Sequence, residues 1–136
     1  MTLYPLLVLA LTAQSAAEAP LPAPAFDGSR NLVCAITEMQ QCRSGEGCQA
    51  ITPADANVPQ FLRFDFKKKT ISGRRPDGTL VNTPIAASTR LEDATTMQGV
   101  EGPYGWTVSL GIGGDLGITI AGTSYSMVAF GACDSD

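Results

Sequence analysis

Alternating apolar and polar positions dominate the C-terminal part of the chain. Residues 106–110 read WTVSL, and residues 116–120 read LGITI. Both runs repeat with a period of two, which is typical of a half-buried strand. A third run, rich in β-branched and aromatic residues, ends on Cys133, and turn residues at 113–115 (GGD) and 122–123 (GT) separate the runs. This pattern predicts a meander of three antiparallel strands.

Segments of the same kind occupy most of the chain before this meander. In residues 60–66 (QFLRFDF), Leu62, Phe64 and Phe66 fall on one face. Further candidate strands cover 31–37, 48–52, 70–73, 79–85, 86–91 and 95–100, with a polar loop at 53–59. Eight or nine strands without helical periodicity predict an all-β fold. We expect a small antiparallel meander barrel of about eight strands, and a β-sandwich is the alternative.

The first 19 residues, MTLYPLLVLALTAQSAAEA, are typical of a secretory signal peptide. The apolar run is too short to span a bilayer, and small residues follow at possible cleavage positions. The alternative is an N-terminal anchor that is not removed. The Pro- and Ala-rich residues 20–30 predict an extended tether, and 31–136 are enough for a single domain. We therefore expect a periplasmic or secreted protein without a permanent membrane span after cleavage.

Four cysteines and no histidine favour disulfides over a zinc site. Cys42 and Cys48 flank a five-residue loop with two glycines, which can bring its ends together across a hairpin. Cys34 and Cys133 then remain, on the first and last predicted strands, which a closed antiparallel barrel places side by side. The sequence therefore predicts the pairs Cys34–Cys133 and Cys42–Cys48.

The composition offers little catalytic chemistry. Without histidine, the Ser-His-Asp, Cys-His and His-metal arrangements are excluded. No glycine-rich run precedes a helical segment, so a phosphate-binding loop is not predicted. The carboxylates near predicted turns are interpreted as ordinary surface residues: Glu92, Asp93, Glu101 and Asp115. We expect no enzyme activity, no cofactor and no metal.

The charge distribution is uneven. Residues 63–75 hold six of the nine basic residues and one acid, so this basic segment is near +5 and the rest of the chain near −9. It is a candidate binding surface for an acidic protein or an anionic envelope surface, and nucleic acid is not expected. The alternative is a solvated edge hairpin whose lysines prevent edge pairing. The candidate residues, which form a cationic tip if they converge on one hairpin, are Arg63, Lys67, Lys68, Lys69, Arg74 and Arg75.

Trp106 opens a predicted strand on its apolar face, close to Tyr104. A large aromatic residue at such a position normally fills the core. The alternative is that Trp106 and Tyr104 form a stacking surface at the mouth of the barrel.

Several motifs resemble small secreted four-cysteine proteins of Gram-negative bacteria whose function is uncharacterised. These motifs are LVC (32–34), C-x5-C (42–48), QFLRFDF (60–66), MQG (97–99), GWTVSLG (105–111) and FGAC (130–133). The architecture is also similar to that of periplasmic lysozyme inhibitors, small barrels that link an early and a terminal cysteine. The chain lacks their Ser-Gly-x-x-Tyr stretch. The resemblance implies a lipocalin-like or lysozyme-inhibitor-like barrel, and it brings no catalytic motif.

Two functional hypotheses follow. The first is a non-enzymatic binding or inhibitory module that acts through loops at one barrel end, such as 43–47 and 101–104, or through a small cavity near Trp106. The second is an accessory or structural subunit that docks on an acidic partner through the basic segment.

Overall fold

Antiparallel strands account for most of the molecule. The computed structural model describes residues 16–17 and 26–136. In chain order the elements are β1 (Leu32–Arg43), β2 (Gly47–Ala50), α1 (Pro53–Ala56), β3 (Phe61–Asp65), β4 (Thr70–Arg74), β5 (Leu80–Pro84), β6 (Ala87–Arg90), β7 (Ala94–Glu101), β8 (Tyr104–Gly111), β9 (Asp115–Ala121) and β10 (Tyr125–Ser135).

The strands form one sheet that curls into a half-barrel. Their order is β5-β4-β3-β1-β10-β9-β8-β7-β6, and β2 pairs with β1 beside this path. The two outermost strands, β5 and β6, are consecutive in the chain. Between them, Ile85 N–H donates to Lys69 O (2.9 Å), and Ala86 N–H donates to Gln98 O (2.8 Å) on β7. Within two residues the chain thus passes from the ladder with β4 to the ladder with β7, and we call this junction of β5 and β6 the seam. The curled half-barrel confirms the predicted all-β antiparallel architecture.

The predicted C-terminal meander is confirmed as β8, β9 and β10. Consecutive strands pair antiparallel, with Trp106 opposite Ile120 and Ile118 opposite Ala129. The inward positions alternate with outward ones as the sequence indicates, because Trp106, Val108 and Ile118 are all buried.

β1 lies at the centre of the sheet and is longer than the predicted strand. It pairs with β10 from Leu32 to Arg43, with a shift of register between Ile36 and Glu38. β3 occupies the first part of its other edge and β2 the last part. The bulge inserts one residue, which moves the buried positions out of phase, from Ile36 to Met39. This break in the period, followed by polar residues, hides the second half of β1 from pattern analysis.

Both predicted disulfides are confirmed. Cys34 on β1 is bonded to Cys133 on β10, directly opposite in the ladder. Cys42 is bonded to Cys48 across the β1–β2 hairpin, again between register partners.

The half-barrel has two distinct ends. β1 finishes with Arg43 at the upper end, which also carries the connections at 75–79, 102–103 and 122–124. β1 begins with Leu32 at the lower end, which carries the connections at 66–69, 91–93 and 112–114.

The predicted polar loop at 53–59 contains a helical turn that the sequence analysis missed. Thr52 Oγ1 accepts from Asp55 N–H (3.1 Å), and Pro53 stands at the first position of α1. Asn57 ends α1 in the left-handed conformation, with φ of 50°. These are ordinary helix caps. One turn is too short to show a helical period, so capping residues were the available signal.

The N-terminal predictions lie mostly outside the described residues. This holds for the signal peptide at 1–19, apart from residues 16–17, and for residues 20–25 of the tether. Phe26, in the described part of the predicted tether, packs its half-buried side chain against the core. Within residues 16–17 and 26–136, no helix is long and apolar enough to cross a membrane.

The core lies on the concave side of the sheet. Phe64 is fully buried, as predicted, and Trp106 is 7% exposed. Neighbouring positions on β3 confirm the predicted face, since Arg63 is exposed and Phe61 is 60% exposed.

We predict that Phe64→Ala lowers the free energy of unfolding by about 3–5 kcal/mol, because it removes a fully buried ring. Phe61→Ala is the matched control, with the same substitution on the outer face of the same strand. The control substitution is expected to lower the free energy of unfolding by less than about 1 kcal/mol. Denaturant melts of the two variants measure the difference, and equal losses would contradict the assigned faces.

Candidate functional site

The concave side of the sheet holds a partly open apolar cavity of about 140 Å³. Alternation along the strands turns apolar side chains inward, so that β1, β8, β9 and β10 each contribute to the wall. The wall residues of these strands are Ile36, Met39, Trp106, Val108, Ile118, Ile120, Met127 and Ala129. We call this space the interior cavity.

Trp106 forms part of the wall and is held by a buried polar contact. Its indole Nε1–H donates to Thr83 Oγ1 (3.2 Å), and Thr83 Oγ1 donates to the carbonyl of Val100 (3.2 Å). Gly99 stands opposite Trp106 on β7, and an added Cβ there would overlap the indole ring. The orientation of the ring therefore depends on β5, β7 and β8 together.

The sequence left two roles open for Trp106, and the structure places it in the core beside the cavity. Tyr104 lies two residues before Trp106 on β8, at the upper end, with its ring centre 5.8 Å from that of Tyr125. The aromatic contact of Tyr104 is therefore with Tyr125, in a tilted arrangement.

Two charged residues reach the interior cavity from the upper end. Arg75 follows β4, Glu101 ends β7, and both side chains are half-buried and line the cavity. In the region 26–136, the one ion pair within 4.0 Å joins Arg63 to Asp136, so neither rim residue is neutralised by close pairing. The cavity thus combines apolar walls with a charged rim, which pattern analysis did not predict.

Residues 51–59, here called the cap segment, cover the interior between β2 and β3. Val58 and Pro59 line the cavity, and Ile51 and Ala56 pack against the core. Pro59 lies so close to β4 that a Cβ at Gly73 would come within 2.6 Å of its Cβ. Glycine at 73 therefore makes room for the cap segment.

A hydrogen bond fastens the cap segment to the β4–β5 connection. Asn57 Nδ2 donates to Asp77 Oδ2 at 2.9 Å. Hydrogen bonds from the Thr79 side chain and backbone, and then from Asn57, lower the pKa of Asp77 to about 2. Asp77 therefore remains an ionised acceptor for Asn57 until the pH falls close to 2.

The predicted basic segment is divided between the two ends. Lys67, Lys68 and Lys69 lie exposed in the lower-end turn, whereas Arg74 and Arg75 lie at the upper end of β4. A five-residue strand separates the two groups. The condition for a single cationic tip is therefore not met.

The remaining basic candidates also have separate environments. Arg63 Nε pairs with Asp136 Oδ2 at 3.1 Å on the outer face of β3. Arg74 Nη1 donates to the carbonyl of Gly78 (2.7 Å), within its own turn. Arg74 therefore points away from the cavity that Arg75 lines.

A second cluster at the upper end was not predicted. The guanidinium of Arg43 lies 5.4 Å from the ring centre of Tyr125, which in turn contacts Tyr104. Burial raises the pKa of the Tyr125 hydroxyl, and the charge of Arg43 opposes this shift. The cluster joins the two loops that the sequence singled out, 43–47 and 101–104. The β9–β10 connection takes part, because Ser44 N–H donates to Ser124 O (2.9 Å).

Comparison with known proteins gives no assignment. No protein-family model, no curated protein and no solved structure matches the chain. Within the part of the chain that the structure describes, no group of three or more His, Cys, Asp or Glu residues is arranged to hold a metal ion. The interior cavity and its rim are thus the features from which a function can be argued.

We predict that Thr83→Val destabilises the protein by about 1–3 kcal/mol, because it leaves the buried indole N–H of Trp106 without its acceptor. Thr119→Val, the same change at an exposed position of β9, is the control. Denaturant unfolding followed by the fluorescence of Trp106, the only tryptophan in the sequence, measures both. Equal stability of the two variants would show that the hydrogen bond does not hold the indole.

Proposed function

We propose that this protein is a non-enzymatic binding module that holds a small apolar group in its interior cavity. The observation that carries the proposal is the cavity itself, about 140 Å³ of space with almost entirely apolar walls. Both loops of the first sequence hypothesis lie at the upper end, where the charged rim is found. The ligand is therefore expected to enter from that end, beside the cap segment.

The size of the cavity supports this proposal. Protein cavities of about 150 Å³ with apolar walls stay dry and bind benzene or xenon. Side chains that face unfilled space also lack van der Waals partners on that side. A ligand that fills the cavity recovers part of the lost van der Waals contacts, so binding is favourable without any polar interaction.

The side chains of the cavity support binding rather than catalysis. Apart from the rim, the wall residues are aliphatic, thioether or aromatic, with Thr83 already engaged by Trp106. Glu101 is the single carboxylate of the lining, and general acid–base catalysis by a pair of carboxylates has no second member there.

The disulfides provide information on the cellular compartment in which the protein is located. All four cysteines of the sequence are paired, which fits an oxidising environment. Together with the signal peptide expected at 1–19, this supports a periplasmic or secreted location for the binding module.

We predict that benzene stabilises the protein and that Ala129→Leu abolishes this effect. The added side chain points into the cavity and fills it, because Ala129 lines the wall. At a benzene concentration of 100 times the dissociation constant, the free energy of unfolding rises by about 2.7 kcal/mol. Thermal melts with and without benzene measure the shift.

Ala132→Leu on the exposed face of β10 is the control and is expected to keep the response. If Ala129→Leu does not fold, Val81→Phe tests the same point from the opposite wall. An unchanged melting temperature of the parent protein over the whole benzene range would refute binding in the cavity.

The basic segment supports a second candidate function, docking on an acidic protein or an anionic envelope surface. The lower-end turn presents Lys67, Lys68 and Lys69 together, all exposed. The turn is held by the Lys68 N–H, which donates to Asp65 Oδ1 (2.8 Å), and by Lys69 in the left-handed conformation. This cluster of charge on an otherwise acidic protein favours electrostatic attraction to anions.

We predict that changing Lys67, Lys68 and Lys69 to Glu abolishes retention on anionic vesicles at low salt. The melting temperature should hardly change, because exposed charges contribute little to folding. Changing the same residues to Arg keeps the charge and should keep the retention, which must also fade as salt rises. Co-sedimentation measures binding, and equal retention of the Glu variant would reduce this turn to protection of the sheet edge.

A further inference from the structure

We infer that the ligand of the interior cavity is a small carboxylate, whose apolar part fills the cavity and whose carboxylate is bound by Arg75 at the rim. This inference rests on the proposed function and specifies the chemical class of the ligand. It depends on three properties of Arg75: its direction, its unused donors and its fixed backbone.

The direction of Arg75 follows from the alternation along β4. Ile71 is buried and Gly73 faces Pro59 of the cap segment, so these positions point inward. Arg75 continues the same parity and lines the cavity, whereas Arg74 lies exposed on the other face. Of the two adjacent arginines, Arg75 therefore faces the cavity and Arg74 faces the solvent.

The guanidinium of Arg75 has donors to spare. Its side-chain contact in the described region is one long hydrogen bond, from Nη1 to Thr79 Oγ1 at 3.4 Å. Asp77, in the same connection, has its oxygens occupied by Asn57 and Thr79 and lies beyond 4.0 Å of Arg75. The charge of Arg75 acts on Asp77 only from a distance, as the smallest of the effects that lower the pKa of Asp77. Because a guanidinium carries five N–H groups in a planar fork, it is suited to grip a carboxylate with two parallel hydrogen bonds.

The backbone at Arg75 is fixed before any ligand arrives. Arg75 N–H donates to Thr79 O (2.9 Å), and Gly78 N–H donates to Arg75 O (2.9 Å). The Asn57–Asp77 hydrogen bond joins this connection to the cap segment. A rigid attachment reduces the entropy lost when Arg75 engages a ligand.

Glu101, also at the rim, gives the inference a second consequence. It is half-buried and lines the same cavity, so its negative charge opposes a ligand carboxylate. Arginine is the stronger partner at such a boundary, since it is weakly hydrated and makes a bidentate contact. Removal of the charge of Glu101 should therefore tighten the binding of an anion and weaken that of a cation.

Benzoate, benzyl alcohol and benzylamine test the inference, because they share a ring and differ in the charge of the head group. Titrations at neutral pH, followed by calorimetry and by Trp106 fluorescence, give the three dissociation constants. We expect benzoate to bind about tenfold more tightly than benzyl alcohol, which is the effect of one charge-assisted contact at a partly exposed site. Benzylamine should bind most weakly.

Variants of Arg75 and Arg74 test which of the two arginines causes the preference for benzoate over benzyl alcohol. Arg75→Gln should bring the ratio of the benzoate and benzyl alcohol constants close to one, and Arg74→Gln, the matched control outside the cavity, should keep the tenfold ratio. Glu101→Gln should raise the ratio further. If Arg75→Gln does not fold, Arg75→Lys keeps the charge without the fork and should lower the ratio in part.

The outcomes distinguish failure of the carboxylate assignment from failure of the proposed function, which is binding of an apolar group in the cavity. Equal binding of all three compounds, a preference for benzylamine, or a ratio that survives Arg75→Gln would overturn the carboxylate assignment while leaving the cavity as a binding site. If none of the three compounds binds and benzene does not bind either, the proposed function itself fails.

Discussion

The pairing of β1 with β10 is the interaction on which the rest of the molecule depends. It joins the two ends of the domain along the full length of β1, and Cys34–Cys133 makes the pairing covalent across a sequence separation of 99 residues. In the chain-entropy model, closing a loop of that length is worth about 4–5 kcal/mol. The same ladder brings inward residues of both strands together, among them Met39 and Met127, so the cavity wall exists only when it forms.

The cavity also depends on contacts at the opposite side of the sheet, where β5 and β6 form the seam. Trp106 reaches from β8 to Thr83 on β5, and the hydroxyl of Thr83 reaches on to β7. A single buried threonine thus connects both sides of the seam through side-chain contacts, in addition to the backbone bonds at residues 85 and 86. Curling, burial of Trp106 and the shape of the cavity are therefore consequences of one arrangement.

Local patterns explain what could be predicted. The period of two is a property of neighbouring residues, and it gave the meander and the inward faces of β3, β8 and β9. The disulfides followed because β1 and β10 had to be neighbours in a barrel. β1 was predicted too short, since the bulge after Ile36 breaks the period on which the prediction rested.

The functional residues were less accessible to sequence reasoning. The run from Arg63 to Arg75 was considered as one surface, but its members alternate between faces and ends of β3 and β4. Whether Arg75 lines a cavity depends on Glu101 and the cap segment, which are distant in sequence and carry no pattern that links them. The contact of Arg43 with Tyr125 likewise exists only after β1 and β10 have paired.

The position of the Cys34–Cys133 bridge has a mechanical consequence. The bridge lies near the lower end, just inside the segments that lead into β1 and out of β10. Tension between these two segments passes through the sulfur atoms and bypasses residues 35–132, so that only the pairs outside the bridge, such as Leu32 with Ser135, carry the load. Tension applied between these two segments therefore leaves the upper rim and the cavity undeformed.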